Sequence, residues 1–145
     1  MSCAPVDFRF AGSADLPLLA AWNEQLIEDE RADTRLDRPG LEARMRGWLA
    51  AGSRAVIFEL DGHGVGYALF RPDEPGIQLR HFFIARERRR RGLGRQAVVL
   101  LRERVLPREC RVSLQVLNHN AVGLAFWRAV GFIDSAQTLT ALTPA

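Results

Sequence analysis

The apolar positions of the chain change period several times, and each change marks an element. "VDFRFA" (residues 6–11) alternates as a strand with one buried face does. Leu19, Trp22 and Leu26 then recur at helical spacing, with Asp15 placed to cap that helix and Pro17 tolerated in its first turn. A polar break, "DERADTRLDRPG", precedes a second helical repeat of Leu41, Met45, Trp48 and Leu49. "RAVIFEL", the turn "DGHG" and "VGYALFR" predict a hairpin. "PDEPG" reads as a loop and "IQLRHFFIA" as the next strand. A third helix runs through "GRQAVVLLRERVL", followed by a strand "RVSLQVL", a fourth helix "NAVGLAFWRAV" stopped at Gly131, and an extended segment around "FIDSAQTLTAL". A meander followed by a strand–helix–strand unit predicts an α/β (α+β) fold: a mixed, mostly antiparallel central sheet flanked by about four helices lying on both faces. No repeat or linker interrupts the pattern, so residues 1–145 read as a single domain.

Composition narrows the class. The chain has 145 residues, 48% of them hydrophobic and 26% charged, which suffices for a buried core without metal or disulfide staples. No apolar run approaches the roughly 20 residues of a membrane span. "MSCAPVDFRF" lacks the features of a secretion signal, and Cys3 and Cys110 are far apart and read as inert, so a reduced, cytoplasmic setting is the expectation. Two cysteines and three histidines show no metal-ligand spacing. Composition leaves the oligomeric state open, a homodimer included.

Charge changes the picture more. All 20 basic residues are arginine, the net charge is only +3, and the basicity is concentrated in "RERRRRGLGRQAV", residues 86–98. Three readings compete for it: a nucleic-acid grip, a cradle for a diphosphate, and a solvated loop. A glycine-bearing turn that opens a helix presents free backbone N–H groups at the positive end of the helix dipole, and phosphate oxygens suit that site. Gly92 and Gly94 permit close approach of backbone to ligand, and neighbouring arginines add charge-assisted contacts. A diphosphate therefore accounts for the glycines and the charge together. A nucleic-acid grip explains only the charge, because aromatic residues are not interleaved with it. "GLGRQA" also fits the dinucleotide fingerprint, but seven residues separate Ile84 from Gly92, and the region about 20 residues on, "SLQVL", has no acidic ribose ligand.

"RRRGLG", Arg89 to Gly94, resembles the acyl-CoA signature of the GNAT superfamily of N-acetyltransferases. "NAVGLAFWRAVGF", Asn120 to Phe132, is similar to the second conserved block of that superfamily, and one helix and one strand separate the two, as in the family. The order of elements resembles this fold along nearly the whole chain. The resemblance implies acetyl-CoA as co-substrate and no metal. It implies splayed strands, with the pantetheine arm lying between "RHFFIA" and "SLQVL" against Phe82, Phe83 and Ile84. The diphosphate would rest on Arg89, Arg90, Arg91, Gly92, Leu93, Gly94 and Arg95, and Asn120, Phe126 and Trp127 would line the far side of the arm. The implied reaction is direct transfer of the acetyl group to a primary amine of a small molecule or protein. A base takes the amine proton, backbone N–H groups hold the oxyanion, and an acid protonates the thiolate.

Two departures bear on that chemistry. Trp127 stands where many members carry a tyrosine acid, and Tyr67, the chain's one tyrosine, lies in the hairpin. A thiolate leaves at little cost near neutral pH, so the departure is compatible with turnover, but it also keeps open a sensor domain that binds acyl-CoA without transferring it. The carboxylate some members carry before the arginine loop is replaced by Gln78 and Arg80. His81, next to the implied thioester, and Glu28 are the candidate bases, against a packed histidine and a solvated helix end as the structural alternatives. Glu28, Asp29 and Glu30 border the acceptor side and would suit a cationic amine.

Overall fold

The computed structural model describes residues 5–145, and Cys3 lies outside that range. Five strands form one sheet in chain order: β1 (Asp7–Phe10), β2 (Arg54–Leu60), β3 (His63–Asp73), β4 (Gly76–Ile84) and β5 (Val112–Ser113). The first four are antiparallel and β5 joins β4 in parallel, as a strand–helix–strand crossover requires. Four α-helices accompany them: α1 (Leu16–Glu30), α2 (Arg38–Ala50), α3 (Leu93–Leu100), which continues as a π-helical turn over Leu101–Val105, and α4 (Ala121–Ala129).

The sheet is buried on both faces, which is why "AVIF" in β2 is apolar throughout. Val56 and Phe58 face one way, into a layer with Leu79, Ile84, Leu93, Ala97 and Leu101 beneath α3. Ala55 and Ile57 face the other way, with Leu19, Trp22, Leu26, Met45, Tyr67 and Phe83 beneath α1 and α2.

Local chemistry fixes most boundaries. Asp37 caps α2, its carboxylate accepting from the Gly40 amide at 2.9 Å, so the helix begins inside the stretch expected to be a polar break. Asp15 precedes α1 but does not cap it. Its carboxylate instead accepts from the Gly12 amide and from Arg9, closing a 3-10 turn over Ser13–Asp15.

Three sequence expectations change. "PDEPG" is a tight second hairpin rather than an open loop, with β3 reaching Asp73 and β4 starting at Gly76. The strand expected over residues 111–117 keeps ladder pairing only at Val112 and Ser113. The segment 132–142 forms no strand, and Ile133, Leu139 and Leu142 are exposed. Alternation alone gave those residues a strand pattern, but the sheet offers them no partner.

Candidate functional site

The site is organised by a defect in β4. Leu69 pairs with His81 and Phe70 with Leu79, so Arg80 has no opposite number on β3. Such a bulge turns the following side chains over and bends the strand. Leu79 points into the α3 layer, whereas Phe83 lies in the α1/α2 layer. Beyond Gln78, β4 also loses its parallel neighbour, because β5 pairs only through Val112 and Ser113. The two strands thus splay, leaving one edge of residues 79–84 without a strand partner.

At the open end of the splay, Arg90 (φ 65°) and Gly92 (φ 75°) both take left-handed backbone, and Gly92 is the N-cap of α3. Glycine suits the second position because it adopts that conformation without strain. Among the described residues, the amides of Arg90 to Arg95 have no hydrogen-bond acceptor. They form a run of donors at a helix N-terminus, an arrangement matched to an anion. Gly94 admits the ring of Phe126, which lies 3.3 Å from where a Cβ would stand. Phe126 and Trp127 of α4 join Phe82 in an aromatic cluster with centroids 5.0–6.1 Å apart, extended to Phe132 by Trp127. Asn120 caps α4, its Oδ1 accepting from the Gly123 amide at 3.0 Å.

The arginines divide into two groups. Arg89 turns away from the cradle: its Nε donates to the Ile84 carbonyl at 2.8 Å and its Nη2 to Asp29 at 2.5 Å. Arg86 bonds Glu28 and Asp29, each at 3.0 Å. Arg90, Arg91 and Arg95 make no ion pair among the described residues. The loop is therefore tied to the end of α1 by one pair of arginines and presents others to solvent.

Two of the three carboxylates expected to border the acceptor are engaged within the chain. The carboxylates of Glu28 and Asp29 are occupied by Arg86 and Arg89, and Glu28 is held at the surface by its pair. Glu30 differs. It is partly buried, and desolvation, with the charge of Asp29 second, raises its carboxyl above the ordinary range. Its backbone carbonyl accepts from Nε2–H of His119 at 2.5 Å, which fastens the loop before α4 to α1.

His81 is half-buried against Trp48 of α2. Tyr67 Oη and His81 Nδ1 share a hydrogen bond of 3.0 Å, and the imidazole meets the Trp48 ring edge-on at 5.3 Å. Burial, then the charges of Arg44 and Arg80, lower its pKa to about 3. It is neutral across the physiological range and a weak proton acceptor. Tyr67 is fully buried, stacked on Trp22.

Around this pair is a constellation that sequence spacing did not single out. The guanidinium carbons of Arg44 and Arg80 each sit 4.5 Å from the centroid of the Trp48 ring. Nη2 of Arg44 donates to Oδ1 of buried Asn23 at 3.2 Å. The helical interval from Arg44 to Trp48 was legible in the chain, but Arg80 reaches the same ring only through the bulge.

The sequence profile described as the acetyltransferase (GNAT) family matches residues 19–132. The chain belongs to that family. The acetyltransferase also shares its fold with solved structures. It has a TM-score of 0.75 to a possible acetyltransferase from Clostridium difficile 630, at 14% identity over 97% of this chain and 99% of the other. A TM-score of 0.75 is likewise found for an aminoglycoside N-acetyltransferase in complex with CoA, at 17% identity over 99% and 98%. An acetyltransferase from Thermus thermophilus gives 0.75 at 22% identity over 92% and 90%. No curated protein sequence matches the chain. Among the described residues, no helix is long and apolar enough to cross a membrane.

Proposed function

We propose that this acetyltransferase moves an acetyl group from acetyl-CoA directly to a primary amine. The observation that carries the reading is the run of six acceptor-free amides, Arg90 to Arg95, at the mouth of the β4–β5 splay. One feature fits a diphosphate and the other an extended arm, and the two adjoin. A structural neighbour is an aminoglycoside N-acetyltransferase with CoA, and another holds a bisubstrate analogue of CoA and acetylneamine, which supports the same ligand class.

On this reading Phe82, Phe83 and Ile84 lie along the arm, and Phe126 and Trp127 close its far side. Arg90, Arg91 and Arg95 add charge to the amides, while Arg89 contributes its backbone and braces the loop. Glu30 is the proton acceptor for the amine, directly or through water, because burial brings its carboxyl closer to the working range of a base. His81, neutral and bonded to Tyr67, positions the bulge; Glu28 braces the loop through Arg86. Trp127 offers no useful acid, so the thiolate departs ionised or takes its proton from water. That same residue favours the second reading, an acyl-CoA sensor, and turnover separates the two.

The test is thermal melting with acetyl-CoA, with NAD and a short RNA as controls. At about a hundredfold over its dissociation constant a ligand adds about 2.7 kcal/mol, which moves the midpoint by several degrees. The expected outcome is a shift with acetyl-CoA alone, lost in Gly92→Glu, where a carboxylate enters the amide cradle. A shift only with RNA, erased by salt, refutes the reading. Glu30→Gln is expected to lower kcat with acetyl-CoA affinity unchanged.

A further inference from the structure

Buried charges call for partners, and several arginines of this chain meet carboxylates even at the surface. Arg9 meets Asp15, Arg38 meets Glu24, Arg86 and Arg89 meet Asp29, and Arg128 meets Asp134. Arg44, Arg71 and Arg80 differ: unlike the unpaired but solvent-exposed Arg90, Arg91 and Arg95, they are partly buried. None of the three has a carboxylate partner among the described residues, and they converge from α2, β3 and β4 on one side of the sheet. Arg71 donates to Oε1 of Gln78 at 2.9 Å, a neutral partner. Arg44 and Arg80 stack on Trp48, and the Nε of each is buried without an acceptor, as is Nδ2 of Asn23 beside them. The arginines are crowded enough to oppose one another: burial lowers the pKa of Arg80, and the charges of Arg71 and Arg44 lower it further. Guanidinium groups do not discharge to relieve such crowding. An anion would relieve it, and would supply acceptors for the orphaned N–H groups.

The cluster is also placed to select a substrate. Arg80 is the bulged residue of β4, where the strand's free edge begins. Burial raises the Tyr67 pKa, the charge of Glu30 raises it further and that of Arg44 opposes it, so charges of both signs act on this buried phenol.

We propose that Arg44 and Arg80, supported by Asn23 and Arg71, form a subsite for the carboxylate of the acceptor, and that the acceptor is an amino acid whose amine faces Glu30. This inference rests on the acetyl-transfer reading above and names the substrate class of that site. It replaces the cationic acceptor suggested by the acidic stretch. A cationic amine without a carboxylate would meet three unpaired arginines, a like-charge juxtaposition that selects against it.

The experiment compares each of the common amino acids with its α-amide and its decarboxylated amine, using the full chain. Two readouts are taken: CoA release at saturating acetyl-CoA, and the thermal midpoint with the acceptor alone. The expected result is at least one amino acid with kcat/KM about tenfold or more above its amide, as loss of a charged hydrogen-bond partner implies. That amino acid, and not its amide, raises the midpoint. Arg44→Gln and Arg80→Gln each raise its KM about tenfold or more with acetyl-CoA affinity unchanged, and Arg44→Lys restores part of the loss. Amides or decarboxylated amines handled as well as the acids overturn the proposal, as does a preference that survives in the arginine variants. If acetyl-CoA itself produces no thermal shift, the acetyl-transfer reading fails and this proposal falls with it. A normal acetyl-CoA shift without acid preference overturns the subsite alone.

Discussion

His81→Gln separates an electrostatic consequence of the fold from a mere packing change. In the native chain the half-buried imidazole is packed between Tyr67, Trp48 and two guanidinium groups, and its pKa is lowered to about 3. In the unfolded chain the same group titrates near pH 6.5. A folded pKa below the unfolded one means that, as pH falls through about 6.5, the unfolded state takes up a proton the native state refuses. Stability is then lost progressively until the pH reaches about 3. At a pH of about 5 the loss is RT ln(1 + 10^1.5), about 2 kcal/mol, and it approaches about 5 kcal/mol once both states are protonated. Glutamine keeps a hydrogen-bonding group for Tyr67 but does not titrate. Urea unfolding of both proteins at a pH of about 7.5 and about 5 provides the comparison. The wild-type midpoint should drop more than the variant's by about 1 M, given a slope of about 1–3 kcal/mol per M. Other titrating groups, Glu30 among them, are common to both proteins and cancel. Parallel falls in the two midpoints refute the burial and charge argument.

Other perturbations probe the remaining supports. A Cβ on Gly66 would stand 2.1 Å from the backbone carbonyl of Phe83, which cannot move without breaking the β3–β4 ladder. Gly66→Ala is therefore expected to cost about 3 kcal/mol or more in chemical denaturation, and a change under about 1 kcal/mol would show the strands are farther apart. Asp29→Ala frees Arg89 from α1 and leaves Arg86 with Glu28 as its carboxylate partner there. The pairs are partly exposed, so stability should fall by only about 1 kcal/mol or less, yet acetyl-CoA titration should show several-fold weaker binding as the loop loses this anchor. Unchanged affinity would mean the loop holds its shape unaided.

Much of the architecture was legible along the chain, because it depends on local physics. Helical spacing at Leu19, Trp22 and Leu26 and at Leu41, Met45 and Trp48 gave α1 and α2, and all of these but Leu41 pack in the layer against the sheet. The hairpin turned where "DG" stands, Asp61 and Gly62 both having positive φ. The glycine-bearing loop before α3 was recognisable because an N-terminus without acceptors and a left-handed cap require particular residues at particular places. What pattern could not give was the partner of each group. Alternation marks a strand but not whether a neighbour exists to pair with it, so β5 shortened to Val112–Ser113 and the segment beyond Gly131 stayed unpaired. A run of carboxylates at the end of α1 carries no sign of arginines that lie 57 to 60 residues away, yet those arginines bond Asp29. The bulge at Arg80 is a register shift between two strands, a property of a pair rather than of either sequence. Through it, Arg44, Arg80, Trp48 and His81 meet, and the electrostatics of that face follow from the tertiary encounter, because charge interactions depend on separation and burial in space.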